Sequence, residues 1–177
     1  MTRRIRLTAV LAAGLLTVLV APVSAGDDKV AAKLTGYAET PLSISTTASG
    51  EFKATIYVES IDYVLTYQDP ESTVTQAHIH FGRPAITGGI VLFLCTNLAN
   101  APATVPTPQA CPAVPATIVG TLTAADVVAV SEQGIDAGAT GFAEILTAIR
   151  AGATYANVHT TGRPSGEIRG PLRGYGY

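Results

Sequence analysis

The chain has 177 residues with 11 Lys+Arg against 13 Asp+Glu, a length that suits one domain with a real core. The slightly acidic balance and the lack of any basic aromatic stretch argue against a nucleic-acid partner. No GxSxG, no HExxH and no free catalytic cysteine pattern occurs, which argues against hydrolase chemistry.

The first residues, MTRRIRLTAVLAAGLLTVLVAPVSAGDD, place three arginines before an apolar run from Leu7 to Val23. Val23-Ser24-Ala25 then fits the small-x-small rule for signal peptidase, so residues 1–25 read as a secretory signal cut after Ala25. An uncleaved membrane anchor is the alternative, but the run is broken by Thr8, Gly14 and Thr17 and is short for the roughly 20 residues of a spanning helix. Without Arg3, Arg4 and Arg6 the remaining 8 Lys+Arg face 13 Asp+Glu, a formal charge of −5. No later segment could span a membrane, so residues 26–177 are expected to form one secreted, extracellular or periplasmic domain.

From Val30 onward the pattern is that of short strands. Glu51 to Glu59, EFKATIYVE, alternates: Phe52, Ala54, Ile56 and Val58 fall on one side, and Glu51, Lys53, Thr55 and Glu59 on the other. Similar runs stand at Val30–Tyr37, Ile61–Tyr67, Val74–Phe81, Ile90–Cys95, Ala116–Leu122, Ala153–Thr160 and Glu167–Leu172. Turn residues such as Ser49-Gly50, Asp69-Pro70 and Gly88-Gly89 separate several of them. About eight short strands at this spacing imply an all-β fold, an antiparallel sandwich or a flattened barrel.

Cys95 and Cys111 are the only cysteines, and an exported chain meets an oxidising compartment, so they are expected to pair. The bridge would close the proline-rich TNLANAPATVPTPQA, about 15 residues, and contribute about 3 kcal/mol in the chain-entropy model. Two thiolate metal ligands are the alternative, at a spacing that fits no zinc motif. Two short helical pieces follow. Thr123 can cap AADVVAV, and Thr140 can open GFAEILTAIRAG, where Phe142, Ile145, Leu146 and Ile149 share a face and Gly152 ends the run. SEQGIDAGA between them reads as a flexible loop.

The chain has three histidines: His78 and His80 in AHIHFGRP, and His159 in VHTTGRP. In the first strand Ala77, Ile79 and Phe81 point one way, which leaves Gln76, His78 and His80 on the other face. In the second, Ala156 and Val158 point inward, which leaves Tyr155, Asn157 and His159 outward. All three imidazoles are thus expected on the solvent face of the sheet. Side chains two apart on a strand lie roughly 6.6 Å apart along the backbone, and paired strands about 4.8 Å apart. If the two histidine strands pair, three rings can converge on one ion at about 2.0 Å with a position left free, an arrangement that suits copper, or alternatively zinc. Exposed polar positions, or structural hydrogen bonds to turn backbones, are the competing explanations.

Each histidine strand runs into Gly-Arg-Pro, at Gly82-Arg83-Pro84 and Gly162-Arg163-Pro164, which read first as tight turns. Arg83 or Arg163 could also present a cation that draws in small anions. In SGEIRG, Glu167 and Arg169 share a face, either as surface ion-pairing groups or in support of the site. Glu167, Tyr155 or Asn157 could accept from a ring N–H of His159 and fix its tautomer.

At AHIHFGRPAITGGIVLFLC, GTLTAAD and IRAGATYANVHTTGRPSGEIRGPL the sequence resembles the CHRD family, named after chordin and common in secreted bacterial proteins. The likeness runs from about Lys33 to Leu172. It implies an immunoglobulin-like or superoxide-dismutase-like β-sandwich. Chordin is an extracellular growth-factor-binding protein, so the resemblance also implies an extracellular protein partner. Some bacterial members look like copper-dependent superoxide dismutases. His78 and His80 are similar to the His-x-His copper pair of copper–zinc superoxide dismutase, and His159 to a further copper ligand. That enzyme has more histidines, one of them bridging copper to zinc, so a copper-only centre is the most this chain could build. The expectations are therefore a copper protein that dismutates superoxide, with Arg83, Arg163 or Arg169 steering the anion, or a copper carrier or recognition module without turnover.

Overall fold

The computed structural model describes residues 28–175; the signal sequence expected at residues 1–25 lies outside them. Nine strands form one antiparallel sheet: β1 (Asp28–Thr35), β2 (Ser49–Ile56), β3 (Ile61–Gln68), β4 (Val74–Phe81), β5 (Gly89–Thr96), β6 (Ala116–Leu122), β7 (Thr154–Thr160), β8 (Ile168–Pro171) and β9 (Arg173–Gly174). Their order is β5-β4-β7-β8-β1-β2-β3-β6, with β9 also on β1. The fold is an all-β sandwich-like one in which the sheet nearly closes on itself. Where alternation is clean, so is the burial. Phe52, Ala54 and Ile56 of β2 and Ile61, Tyr63, Leu65 and Tyr67 of β3 enter the core, and Glu51, Lys53, Asp62 and Val64 face out. Ala77, Ile79, Ala156, Val158 and Ile168 of the other half meet them in one hydrophobic cluster.

The seam between the end strands β5 and β6 is covered by the loop that joins them. Cys95 and Cys111 form the expected disulfide. Asn97 accepts from the Cys111 amide at 3.0 Å and donates to the Cys111 carbonyl at 3.0 Å. The Tyr67 hydroxyl donates to Pro112 O and the Tyr63 hydroxyl to Leu94 O. Each buried phenol thereby keeps a partner, as burial requires.

Helix α1 (Gly138–Arg150) buries Phe142, Ile145, Leu146 and Ile149 as expected, and Gly152 follows it at φ +66°. It begins two residues before Thr140, with Ala137 at the N-cap and no side-chain cap. The other expected helix is a single 3-10 turn, Ala124–Asp126, closed by a Thr123–Asp126 capping box. Beyond it Val127 bridges Leu92, and the Val128 amide donates to Val91 O. The β-branched run therefore satisfies the free edge of β5 instead of continuing a helix. SEQGIDAGA is likewise more ordered than its composition suggests, with a 3-10 turn at Ser131–Gln133 and a Val130–Ile135 bridge. Among the described residues no helix is long and apolar enough to cross a membrane.

Candidate metal centre

Strands β4 and β7 pair antiparallel, with Gln76 opposite His159, His78 opposite Asn157 and His80 opposite Tyr155. The three histidines therefore share one face of neighbouring strands, as the pairing expectation required. Their ring centroids lie 5.1–6.1 Å apart, and one nitrogen from each falls within 4.8 Å of the others.

The expected solvent exposure is wrong. His78 is 0% exposed, His80 7% and His159 6%. Every residue of β7 is buried, so the sheet here has two dry faces. The cover comes from loops. Gly88 after β4, Pro164 after β7, and Glu39 and Thr46 between β1 and β2 all make contacts over or beside this face. Strand β5 supplies a wall: its register against β4 shifts at Ala77/His78 and again at Ile79/His80, which breaks its alternation and brings Phe93 edge-on to His78 at 4.5 Å. The sequence held a sign of this. The outer faces of β2 and β3 carry Glu51, Lys53 and Asp62, whereas that of TYANVHT carries no formal charge.

Two rings are oriented by carbonyls. His80 Nδ1 lies 3.0 Å from Gly88 O, and His159 Nδ1 lies 3.0 Å from Pro164 O. A carbonyl only accepts, so both Nδ1 atoms carry the hydrogen and both Nε2 lone pairs point into the cluster. His78 Nδ1 lies 3.3 Å from His159 Nε2. His78 Nε2 and His80 Nε2 are buried without any hydrogen-bond partner. Orphaned buried nitrogens each cost about 1–3 kcal/mol, so their presence calls for a compensating role. Three neutral imidazoles, with two tautomers fixed by backbone, match what a copper or zinc ion needs of its ligands.

Asn157 Nδ2 donates to Glu39 Oε1 at 2.7 Å and to Ile168 O at 2.9 Å. Tyr155 stacks on His80 at 4.8 Å between centroids and 3° between planes, and its hydroxyl accepts from the Gly88 amide. Arg169 lies over the same tyrosine ring at 4.1 Å, and its Nη2 donates to Ile86 O. Tyr155, Asn157 and Arg169 thus surround the histidines, though neither Tyr155 nor Asn157 orients His159. Glu167 does not touch His159 either. Its buried carboxylate accepts from Thr46 Oγ1 (2.7 Å), the Glu71 amide (2.9 Å) and Thr160 Oγ1 (2.7 Å). Glu167 and Arg169 are both buried, so neither is a surface ion-pairing group. Arg83 is exposed, and exposed Arg163 reaches Glu71 at 3.5 Å, so neither joins the cluster. The Gly-Arg-Pro glycines do not use left-handed backbone. That conformation falls on Ala85 and on Gly166, where a Cβ would meet Asn157 Nδ2 at 2.8 Å and Glu39 Oε1 at 2.9 Å. Glu39, Phe93 and the carbonyls of Gly88 and Pro164 had no motif to announce them.

Burial pushes the pKa of His78 down to about 2, with the neighbouring histidines adding to it, and that of His80 down to about 4; His159 is lowered by the same cause. Burial raises that of Glu39 to about 7. A histidine that folds neutral takes up its proton first in the unfolded chain. The metal-free fold therefore loses stability as pH drops below the ordinary 6.5, by about 1.4 kcal/mol per pH unit for each such group. Glu39 acts oppositely, favouring the fold below its ordinary 4.5 and losing that contribution as pH rises towards 7. Between 4.5 and 6.5 it offsets one histidine. The urea midpoint of metal-free protein is expected to fall from pH 7 to pH 4, most steeply below 4.5; a flat midpoint would contradict the buried, neutral placement.

A CHRD-domain family model matches residues 30–172. No curated protein and no solved structure matches the chain. The match covers the sandwich from β1 to just beyond β8 and includes all three histidines, and the chain belongs to the CHRD-domain family.

Proposed function

We propose that this CHRD domain is an exported copper protein whose ion is held by His78, His80 and His159. The observation that carries the reading is the burial of three convergent imidazoles with two ring nitrogens left without partners. Copper bound there supplies one-electron chemistry between its cupric and cuprous forms, which is what dismutation of superoxide requires. The chain's own part is to orient the rings through Gly88 O and Pro164 O, to exclude bulk water around His78, and to keep Arg169 as a cation near a site for a small anion. Zinc fits the same nitrogens but carries no redox chemistry.

The depth of the site favours a second reading, a copper-holding domain without turnover, because only slivers of His80 and His159 reach the surface. Copper-loaded protein assayed for superoxide consumption separates the two. Consumption above that of the metal-free protein, and lost in His78→Ala, supports the enzyme; tight binding with no consumption leaves the holding domain.

A further inference from the structure

Arg169 is 3% exposed, and among the described residues it forms no salt bridge. Its contacts are one carbonyl, Ile86 O at 3.2 Å, and the face of Tyr155. A buried guanidinium with so little compensation is costly to keep. Strand β7 lies between β4 and β8, so His80 and Arg169 approach Tyr155 from opposite flanks, and the three planar groups form one stack that ends on a histidine of the cluster. No anionic side chain belongs to that cluster. Glu39 senses Arg169, but with its pKa raised to about 7 it offsets the cation only in part at neutral pH.

We propose that Arg169, held against the cluster through Tyr155, makes the three-histidine site prefer a monovalent ion to a divalent one, cuprous over cupric copper and over zinc. The inference rests on the copper reading above and adds which oxidation state the site favours. Three neutral ligands cancel none of an ion's charge. Each added unit of charge therefore meets the field of the guanidinium, only partly offset by Glu39, in a poorly solvated interior. Imidazole is a ligand for copper in both oxidation states and for zinc, so the guanidinium's charge adds a bias against the divalent ions that the donors alone do not supply. Arg169 is a positioning residue here and touches no ion.

The test measures cuprous and cupric affinities by competition with chelators, and zinc affinity alongside, for wild type, Arg169→Gln, Arg169→Lys and Arg83→Gln, with thermal midpoints of the metal-free proteins. Wild type is expected to bind cuprous copper more tightly than either divalent ion. Arg169→Gln should shift the cuprous-to-cupric ratio towards cupric by about tenfold, a fall of about 59 mV in midpoint potential for one electron. Arg169→Lys should restore most of the ratio, and Arg83→Gln, which removes an exposed cation outside the cluster, should leave it unchanged. Copper binding with the same ratio in Arg169→Gln as in wild type overturns the inference alone. Should Arg169→Gln not fold, a wild-type preference for cupric copper or zinc overturns it by itself. A wild type that binds neither form of copper overturns the copper reading and this inference together.

Discussion

Replacing His159 with alanine is expected to weaken copper binding by roughly 100-fold or more, beyond the range seen when only an outer support of a metal ligand is lost. His159 is the single ligand contributed by β7, and Pro164 O fixes its Nδ1 hydrogen, so its Nε2 carries the lone pair and needs only to exchange its contact with His78 Nδ1 for the ion. The other two histidines lie on one strand, and without His159 the ion loses its third donor and lies open on the β7 side. The same change should also destabilise metal-free protein, by about 1–3 kcal/mol, because it takes the ring partner from His78 Nδ1 and the donor from Pro164 O while His78 Nε2 and His80 Nε2 stay without partners. Isothermal titration with copper and a denaturation curve on the same sample check both halves. Unchanged affinity in His159→Ala would mean that any copper sits elsewhere.

Glu167→Ala should have the largest effect on stability, a loss of about 3 kcal/mol in urea denaturation, because the buried Thr160 hydroxyl and the part-buried Thr46 hydroxyl and Glu71 amide would all lose their acceptor. Those donors come from three segments: the Thr46 loop, the Pro70 turn through the Glu71 amide, and the end of β7. The carboxylate therefore pins the loops beside the site to the strand that carries His159. Glu167→Gln should cost much less. Its carboxamide oxygen can keep Thr46 and Glu71, and the Thr160 hydroxyl can rotate to accept from its NH2. Equal losses in the two variants would show that shape, not hydrogen bonding, is what residue 167 provides.

The fold was legible where one strand face is wet. Alternation marks core and solvent through β3 and in β2 as far as Ile56, and the expected strand bounds fall within a few residues of those observed; β2 stops there, however, and Val58, expected on the core side, is 72% exposed. The meeting of the histidine strands was also legible, because His-x-His and a third histidine in like surroundings allowed only a paired arrangement to bring the rings together. Their burial was not. Period-two alternation says which side chains share a face but not what covers that face, and the cover is made of loops whose residues, Glu39 and Gly88 among them, act through single contacts. For the same reason Glu167 read as a partner for His159, when its acceptor capacity is spent on residues 46, 71 and 160. The DVVAV run was lost to a long-range effect: an unsatisfied strand edge at β5 outcompetes local helix formation.

The central claim is that three ring nitrogens hold one ion. X-ray absorption on protein loaded with a single equivalent of copper counts those nitrogens directly. Three imidazoles at about 2.0 Å are expected, falling to two in His159→Ala. A spectrum with one imidazole or none, or one that the alanine variant leaves unaltered, would contradict the account.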